Sequence, residues 1–147
     1  ALPILANLDQ RAAQVTALRD RLMDGLEKIP HSLLNGHRTE RLPGNVSFCF
    51  EGIEGESLLL LLDDKGVEAS SGSACTSGSL DPSHVLLALG RPHEIAHGSL
   101  RLTLSHETTV EEVDYMIDAV TQVVAYLRSI SPVWRDLQSG KQNFVIQ

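Results

Sequence analysis

The sequence predicts a small mixed α/β domain, of the α+β kind, in which helices cover one face of a three-stranded sheet. Two long segments repeat apolar residues every three or four positions, as amphipathic helices do. Three short segments have patterns typical of strands. The 147 residues, of which 42% are hydrophobic, suffice for one buried core, and neither a repeat nor a linker divides the chain.

The first helix is predicted to begin at Ile4 and to end at Pro30. Its apolar stripe requires a partner, which is either the core of the domain or a second helix in a coiled coil. We expect docking on the core. The residues that form the stripe are Ile4, Leu8, Ala12, Val15, Leu18, Leu22, Leu26 and Ile29.

Three strands are predicted, at 46–50, at 67–69 and from Leu100 to Leu104. In the first strand large apolar residues alternate with smaller ones, which places Cys49 on the second face of the sheet. We expect Cys49 to be a small packing residue without a catalytic role. The segment 31–45 contains two turn signals and is predicted to be a solvated loop.

Three further helices are predicted from local signals. Five consecutive leucines, Leu58 to Leu62, are apolar around the whole helical circumference, so this helix is expected to be enclosed and to end at Gly66. A second helix starts at Pro82 and ends at Gly90. Thr109 opens the second long helix with a Thr-x-x-Glu capping box. The tail, 131–147, shows no clear period.

Charge and composition exclude several classes of protein. The net charge of −7 argues against a nucleic-acid partner, because phosphate recognition needs a concentrated positive surface. The longest apolar run is far too short to cross a membrane. Two cysteines in different settings do not form a disulfide framework, so we expect reduced thiols and a cytoplasmic protein. The chain starts without Met and runs into a helix, which predicts that it was cut from a longer one.

The stretch from Ser70 to Ser79 is the most distinctive part of the chain. Eight of its ten residues are Ser, Thr or Gly, and another is Cys75. Such a segment buries little, so we expect a pliable surface loop. The thiol becomes a nucleophile if its pKa is lowered by a positive neighbour or by a helix N-terminus, such as the one at Pro82. From composition alone, Cys75 is either that nucleophile or a small residue in a polar loop.

Arg101 lies in the middle of the last predicted strand and points away from the face formed by its leucine neighbours. A guanidinium fixed on a strand suits bidentate binding of a carboxylate. Many strand arginines only face water, so both interpretations of Arg101 stay open.

The segment from His93 to His97 matches H-E-x-x-H, the motif of zinc hydrolases. Pro92 and Gly98 leave room for little more than one helical turn, whereas the zinc chemistry requires a stable helix. We therefore predict no metal site and keep zinc hydrolysis as a remote alternative. The chain also lacks a nucleophile elbow, a phosphate-binding loop and a dinucleotide-binding turn.

These residues closely resemble motifs of the cysteine desulfurases, in the NifS/IscS branch of the class-V aminotransferases. The resemblance is strongest in Ser-Ser-Gly-Ser-Ala-Cys-Thr-Ser at 70–77 and in the run from His93 to Arg101. It extends to Arg-Leu-Pro-Gly-Asn-Val-Ser-Phe at 41–48 and covers most of the chain apart from its C-terminal end. It implies the fold of the small C-terminal domain of these pyridoxal 5'-phosphate enzymes.

The resemblance also implies a chemistry. In that family pyridoxal phosphate is held by a lysine of a large domain, and L-cysteine is the substrate. Cys75 would take the substrate sulfur as a persulfide, L-alanine would be released, and Arg101 would hold the substrate carboxylate. The acceptor of the sulfur would be an iron-sulfur scaffold or another acceptor protein, and family members are homodimers.

The same comparison predicts the organisation of the chain. Residues 1–30 would be a connecting helix, 31–130 the small domain with the loop 70–79, and 131–147 a tail. The large domain would be absent, because none of the lysines matches the cofactor motif; they are Lys28, Lys65 and Lys141. The chain alone is then expected to bind no cofactor and to be inactive. The alternative from another class is a non-catalytic sulfur carrier that docks on a scaffold.

Overall fold

The fold combines one antiparallel sheet with six helices in the part of the chain that the structure describes. The computed structural model describes residues 6–71 and 82–146. In chain order the elements are α1 (Leu8–Leu26), β1 (Ser32–Leu34), β2 (Asn45–Phe50), α2 (Gly55–Asp64), α3 (His84–Ala88), α4 (His93–Ala96), β3 (Ser99–Thr103), α5 (Val110–Ile130) and α6 (Pro132–Gln138). The predicted fold class is confirmed.

The sheet has the strand order β1-β2-β3, so β2 is central and both of its neighbours are antiparallel to it. The register pairs Ser47 with Arg101 and Cys49 with Ser99. Because side chains alternate along a strand, these four residues share one face of the sheet. Val46, Phe48 and Phe50 point to the other face, where they are buried.

The main core lies between that apolar face and the three longer helices. Helices α1 and α2 both pack against α5, and the stripe of α1 contributes Val15, Leu18, Leu22 and Leu26 to the core. Docking of α1 on the core is therefore confirmed. Helix α1 ends at Leu26 and continues as a turn in which the Ile29 amide donates to the Leu26 carbonyl, just before Pro30.

A second, smaller hydrophobic cluster covers part of the opposite face. It consists of Cys49 on β2, residues of α3 and α4, and Ile146 from the end of the chain. Cys49 is fully buried there, in agreement with its predicted place on the second face. The sheet is thus covered at one end of this face as well, while Arg101 stays exposed.

One of the three strands differs from the prediction. Residues 67–69 do not form a strand; only Ser70 makes an isolated bridge, to Arg101. The reason is that the Val67 amide donates to the Leu62 carbonyl and closes the end of α2 beside Gly66, which has a φ of 74°. The third strand is instead β1, inside the segment that was predicted to be a loop.

The prediction that the leucine-rich helix is enclosed is wrong for one side of α2. Leu58 and Leu62 are fully buried, whereas Leu60 is 68% exposed. The two buried leucines are four positions apart and share a face, and Leu60 lies between them on the far side.

Gly90 follows α3 with a φ of 79° and Thr109 caps α5, as predicted. Helix α3 begins at His84 rather than at Pro82, since Ser83, with a ψ of 122°, lies outside the helix. The first helix ends at Leu26 rather than at Pro30, and its predicted start at Ile4 lies outside the described residues.

The C-terminal tail, whose sequence shows no regular spacing of apolar residues, folds back on the sheet. Helix α6 follows Ser131, and residues 144–146 return to the corner between β1 and β2. There Val145 and Ile146 donate their backbone N–H groups to the Glu51 carboxylate, at 2.8 and 2.9 Å. The ring of Phe144 stacks on His31, with 3.8 Å between the ring centroids.

Candidate functional site

The candidate site is the exposed edge of β3 around Arg101. The Arg101 side chain points away from the core between the buried Leu100 and Leu102, as the sequence predicted. No Asp or Glu carboxylate of residues 6–71 and 82–146 lies within ion-pair distance of its guanidinium. The guanidinium has five N–H donors in a fork that matches a carboxylate. This part of the structure can therefore offer an anion a bidentate partner.

Ser70 and Ser71 fix the start of the serine-rich segment to this edge. The Arg101 amide donates to the Ser70 carbonyl at 2.6 Å, and the Ser70 amide donates back at 3.0 Å. The Ser99 hydroxyl donates to the Ser71 carbonyl at 2.9 Å. Ser70 and Ser71, the first residues of the serine-rich segment, thus lie directly beside β3 and the guanidinium. Cys75, the predicted nucleophile, lies outside the described residues.

The side chain of Ser70 also contacts Arg101. The Nη2 group of Arg101 donates to the Ser70 hydroxyl at 3.3 Å. Neither this contact nor the one between Ser99 and Ser71 was predicted from the sequence. A signal was present for Ser99, because residues two apart on a strand lie on the same face.

A buried polar network lies on the same face of the sheet as Arg101 and includes Ser47 and Cys49 of β2. The Asn35 side chain contacts the Cys49 sulfur at 3.3 Å and the Ser47 hydroxyl at 3.2 Å, and it accepts from Arg91 at 3.0 Å. Burial raises the pKa of the Cys49 thiol, which the contact with Asn35 and the charge of Arg91 only partly oppose. Since the thiolate is the nucleophilic form, the environment of Cys49 fits packing.

The His93-Glu94-x-x-His97 segment forms a single turn, α4, of four residues. The two imidazole rings are tilted, with 6.2 Å between their centroids. In the described ranges no group of three His, Cys, Asp or Glu side chains is arranged to hold a metal ion. Two buried residues between the histidines, Ile95 and Ala96, belong to the second cluster, so this turn contributes to packing.

The lysines of the chain do not fit the attachment point of pyridoxal phosphate. A lysine that forms a Schiff base needs a sheltered site that lowers its pKa. Lys28 is exposed, Lys65 donates to Gln122 at the surface, and Lys141 pairs with Asp136 while 73% exposed. None of these lysines therefore has the surroundings needed to hold the cofactor.

An open cleft of about 980 Å³ lies elsewhere, between the end of α5, α6 and the turn after β2. Glu54, Ile130 and Val133 are among its lining residues, but Arg101 and Ser70 are not. The cleft is therefore separate from the candidate site. Across the ranges that the structure describes, no helix is both long and apolar enough to span a bilayer.

Comparisons with known proteins agree with this fold. The sequence profile of the class-V aminotransferases matches residues 2–116, which is more than half of the chain. The chain therefore belongs to the class-V aminotransferase family.

Within this family the similarity is to cysteine desulfurases. The chain is 56% identical, over 87% of its length, to cysteine desulfurase IscS of Methanosarcina thermophila, and 49% identical, over 86%, to cysteine desulfurase NifS of Azotobacter vinelandii. A solved NifS-like protein superposes with a TM-score of 0.71 at 28% identity, over 84% of this chain and 30% of that structure. The chain spans 32% of each of the two curated relatives.

Proposed function

We propose that this chain is the C-terminal part of a cysteine desulfurase, in which Arg101 binds the carboxylate of L-cysteine and Cys75 takes its sulfur. One observation carries the proposal. The serine-rich segment that holds Cys75 is fixed at Ser70 and Ser71 to β3, immediately beside an exposed guanidinium with no described acidic partner. A carboxylate-binding group and the start of a thiol-bearing segment thus lie together.

The overall reaction balances with these two residues. The Cβ–Sγ bond of L-cysteine and the S–H bond of Cys75 break, a bond forms between the two sulfurs, and Cβ gains a hydrogen as a proton, taking up the electron pair of the broken C–S bond. L-cysteine and the Cys75 thiol become L-alanine and a Cys75 persulfide, with no external oxidant or reductant. Pyridoxal phosphate, which is expected in a class-V enzyme, would be held by a part of the enzyme outside this chain.

The charge of Arg101 supports its role. The Arg101 guanidinium brings a positive charge to the substrate carboxylate. A bidentate pair fixes the orientation of the substrate as well as its position. L-cysteine would then be held by its carboxylate, beside Ser70 and Ser71, where the serine-rich segment that carries Cys75 begins.

The persulfide requires a second substrate to accept its outer sulfur. We propose a protein acceptor, such as a scaffold for iron-sulfur assembly, because a sulfur carried on a side chain can pass to another thiol by exchange. The relatives named IscS and NifS support the class of enzyme.

The test uses the complete enzyme that contains this chain, with pyridoxal phosphate bound. Cys75→Ser is expected to abolish alanine formation from L-cysteine, whereas Cys49→Ala is the matched control and should retain it. Mass spectrometry should find one added sulfur atom on Cys75 after a single turnover. Normal turnover with Cys75→Ser would contradict the assignment of the nucleophile.

Substitution of Arg101 tests the carboxylate site separately. Arg101→Met removes a charge-assisted bidentate contact, so the KM for L-cysteine should rise about 10- to 100-fold. An unchanged KM would show that Arg101 only faces water. In contrast, sulfur transfer to Cys75 from a persulfide donor without any alanine formation by the complete enzyme would favour a non-catalytic carrier.

A further inference from the structure

We infer that Ser70 is a positioning residue that orients the Arg101 guanidinium for the substrate carboxylate. The inference deepens the proposed function and rests on Arg101 being the carboxylate site. It assigns a specific role to the first residue of the serine-rich segment, through its side chain as well as its backbone.

The geometry brings three hydrogen bonds between the same two residues. Two are the backbone bonds of the bridge, at 2.6 and 3.0 Å, and the third joins Arg101 Nη2 to the Ser70 hydroxyl at 3.3 Å. The bridge fixes the Ser70 Cα opposite that of Arg101. The hydroxyl is thereby held within reach of the guanidinium at the end of a long side chain.

The backbone on each side of this contact is held at one further point. The next carbonyl, that of Ser71, accepts a hydrogen bond from the Ser99 hydroxyl at 2.9 Å. On the opposite side of β3, Arg101 is paired with Ser47 of the central strand β2. The Ser70 hydroxyl is therefore part of a fixed framework.

This contact restricts the guanidinium without blocking it. An exposed arginine side chain has many rotamers, and a ligand that binds it must fix one of them at an entropic cost. The hydroxyl of Ser70 accepts from one Nη2–H, and no other side-chain hydrogen bond from the guanidinium to residues 6–71 or 82–146 competes with a carboxylate. Ser70 thus preorganises Arg101 for binding, while the bond-breaking step does not depend on it.

The experiment compares variants of Ser70 in the complete enzyme with pyridoxal phosphate bound. Ser70→Ala and Ser70→Val lack the hydroxyl, and each is expected to raise the KM for L-cysteine about 3- to 10-fold, with kcat within about twofold. Ser70→Thr keeps the hydroxyl on a branched side chain and should restore the KM. Ser71→Ala is the matched control, because Ser71 contributes its carbonyl to the framework.

A second measurement separates orientation of Arg101 from a general structural effect. The inhibition constant of L-alanine should rise with Ser70→Val, whereas that of L-alaninamide, which carries no carboxylate, should not change. A loss of affinity for both compounds, or a KM equal for Ser70→Val and Ser70→Thr, would overturn the inference.

The result is distinguishable from failure of the proposed function. If Arg101→Met raises the KM and Ser70→Val leaves it unchanged, Arg101 binds the carboxylate and Ser70 has no positioning role. If Arg101→Met itself leaves the KM unchanged, the carboxylate site is elsewhere and both proposals are wrong.

Discussion

At the scale of single residues, Gly98 fixes how closely the turn before β3 approaches the end of β2. The Phe50 amide donates to the Gly98 carbonyl at 2.8 Å, and a Cβ on Gly98 would lie 2.1 Å from the Phe50 carbonyl oxygen. The backbone would have to move, because a carbonyl cannot rotate away as the end of a side chain can. Gly98→Ala is therefore expected to lower the free energy of unfolding by about 1–3 kcal/mol, measured by urea denaturation.

The control is Gly36→Asn. Gly36 has a φ of 82° and open space around its Cβ position, and Asn tolerates this left-handed conformation. The free energy of unfolding should stay within about 0.5 kcal/mol of the original value. An equal loss for both variants would show that the close approach at Gly98 does not limit the structure.

Cys49 gives a pH-dependent prediction at the same scale. Burial raises the pKa of its thiol in the folded state, so the folded protein keeps this proton at a pH where the unfolded chain releases it. The contribution of Cys49 to stability is therefore complete below the usual thiol pKa and is lost as the pH rises above it. The limiting slope is about 1.4 kcal/mol per pH unit.

The measurement compares urea denaturation of the Cys75→Ser protein with that of Cys75→Ser/Cys49→Ala between pH 8 and pH 10. The difference in the free energy of unfolding should shift in favour of the Cys49→Ala protein as the pH rises. A difference independent of pH would mean that Cys49 titrates normally in the folded state.

At the scale of elements, the start of α5 depends on a reciprocal pair of hydrogen bonds. The Glu112 amide donates to the Thr109 hydroxyl at 3.2 Å, and the Thr109 amide donates to the Glu112 carboxylate at 2.8 Å. Without the hydroxyl, one helical N–H loses its partner. Thr109→Ala should lower the free energy of unfolding by about 0.5–2 kcal/mol, as measured by thermal or urea denaturation.

A second threonine of the same helix is the control. Thr121 lies in the exposed middle of α5, where its hydroxyl donates back to the Ile117 carbonyl at 2.7 Å. Alanine is the better helix former at such a position, so Thr121→Ala should be neutral or stabilise by about 0.5 kcal/mol. Opposite signs of the change in the free energy of unfolding would identify Thr109 as the helix cap. A similar loss of stability in both variants would argue against this role.

At the scale of the whole molecule, the C-terminal residues close the second cluster over the sheet. Ile146 is 5% exposed beside Cys49, whereas Val145 is 48% exposed at the cleft, although both amides bind Glu51. Ile146→Ala should cost about 2 kcal/mol or more and should speed alkylation of Cys49, while Val145→Ala should cost less than about 0.5 kcal/mol. Equal alkylation rates in the two variants would show that the tail does not shield Cys49.

Arg128 connects the C-terminal segment to the main core. Its guanidinium is buried and donates to the carbonyls of Pro30, His31 and Glu51, at 2.7, 3.1 and 3.1 Å, and it lies 4.0 Å from the centre of the Trp134 ring. Burial lowers the pKa of Arg128 to about 10, so the group stays charged at neutral pH. One side chain of α5 thus joins the end of the α1 segment, the end of β2 and α6.

The sequence correctly predicted the elements in which apolar residues repeat at a regular spacing or in which a local signal marks the end of a helix. Helices α1 and α5 have apolar residues at three-four spacing, and Gly66, Gly90 and Thr109 mark helix ends by their own chemistry. The alternation in β2 likewise placed Cys49 on the second face. Strand β1 escaped prediction because its three residues are too few for a period and because β2 supplies its hydrogen-bond partners.

For the candidate site, the sequence by itself determined which groups are present and which way Arg101 points, because alternation along a strand is a local property of the chain. Only the tertiary structure decided that Ser70 lies against Arg101 and that Ile146 covers Cys49. Each of these contacts depends on the path of the chain between the two residues, so no local pattern encodes it. That path is set when the core packs, since burial of the apolar faces fixes where the polar segments meet.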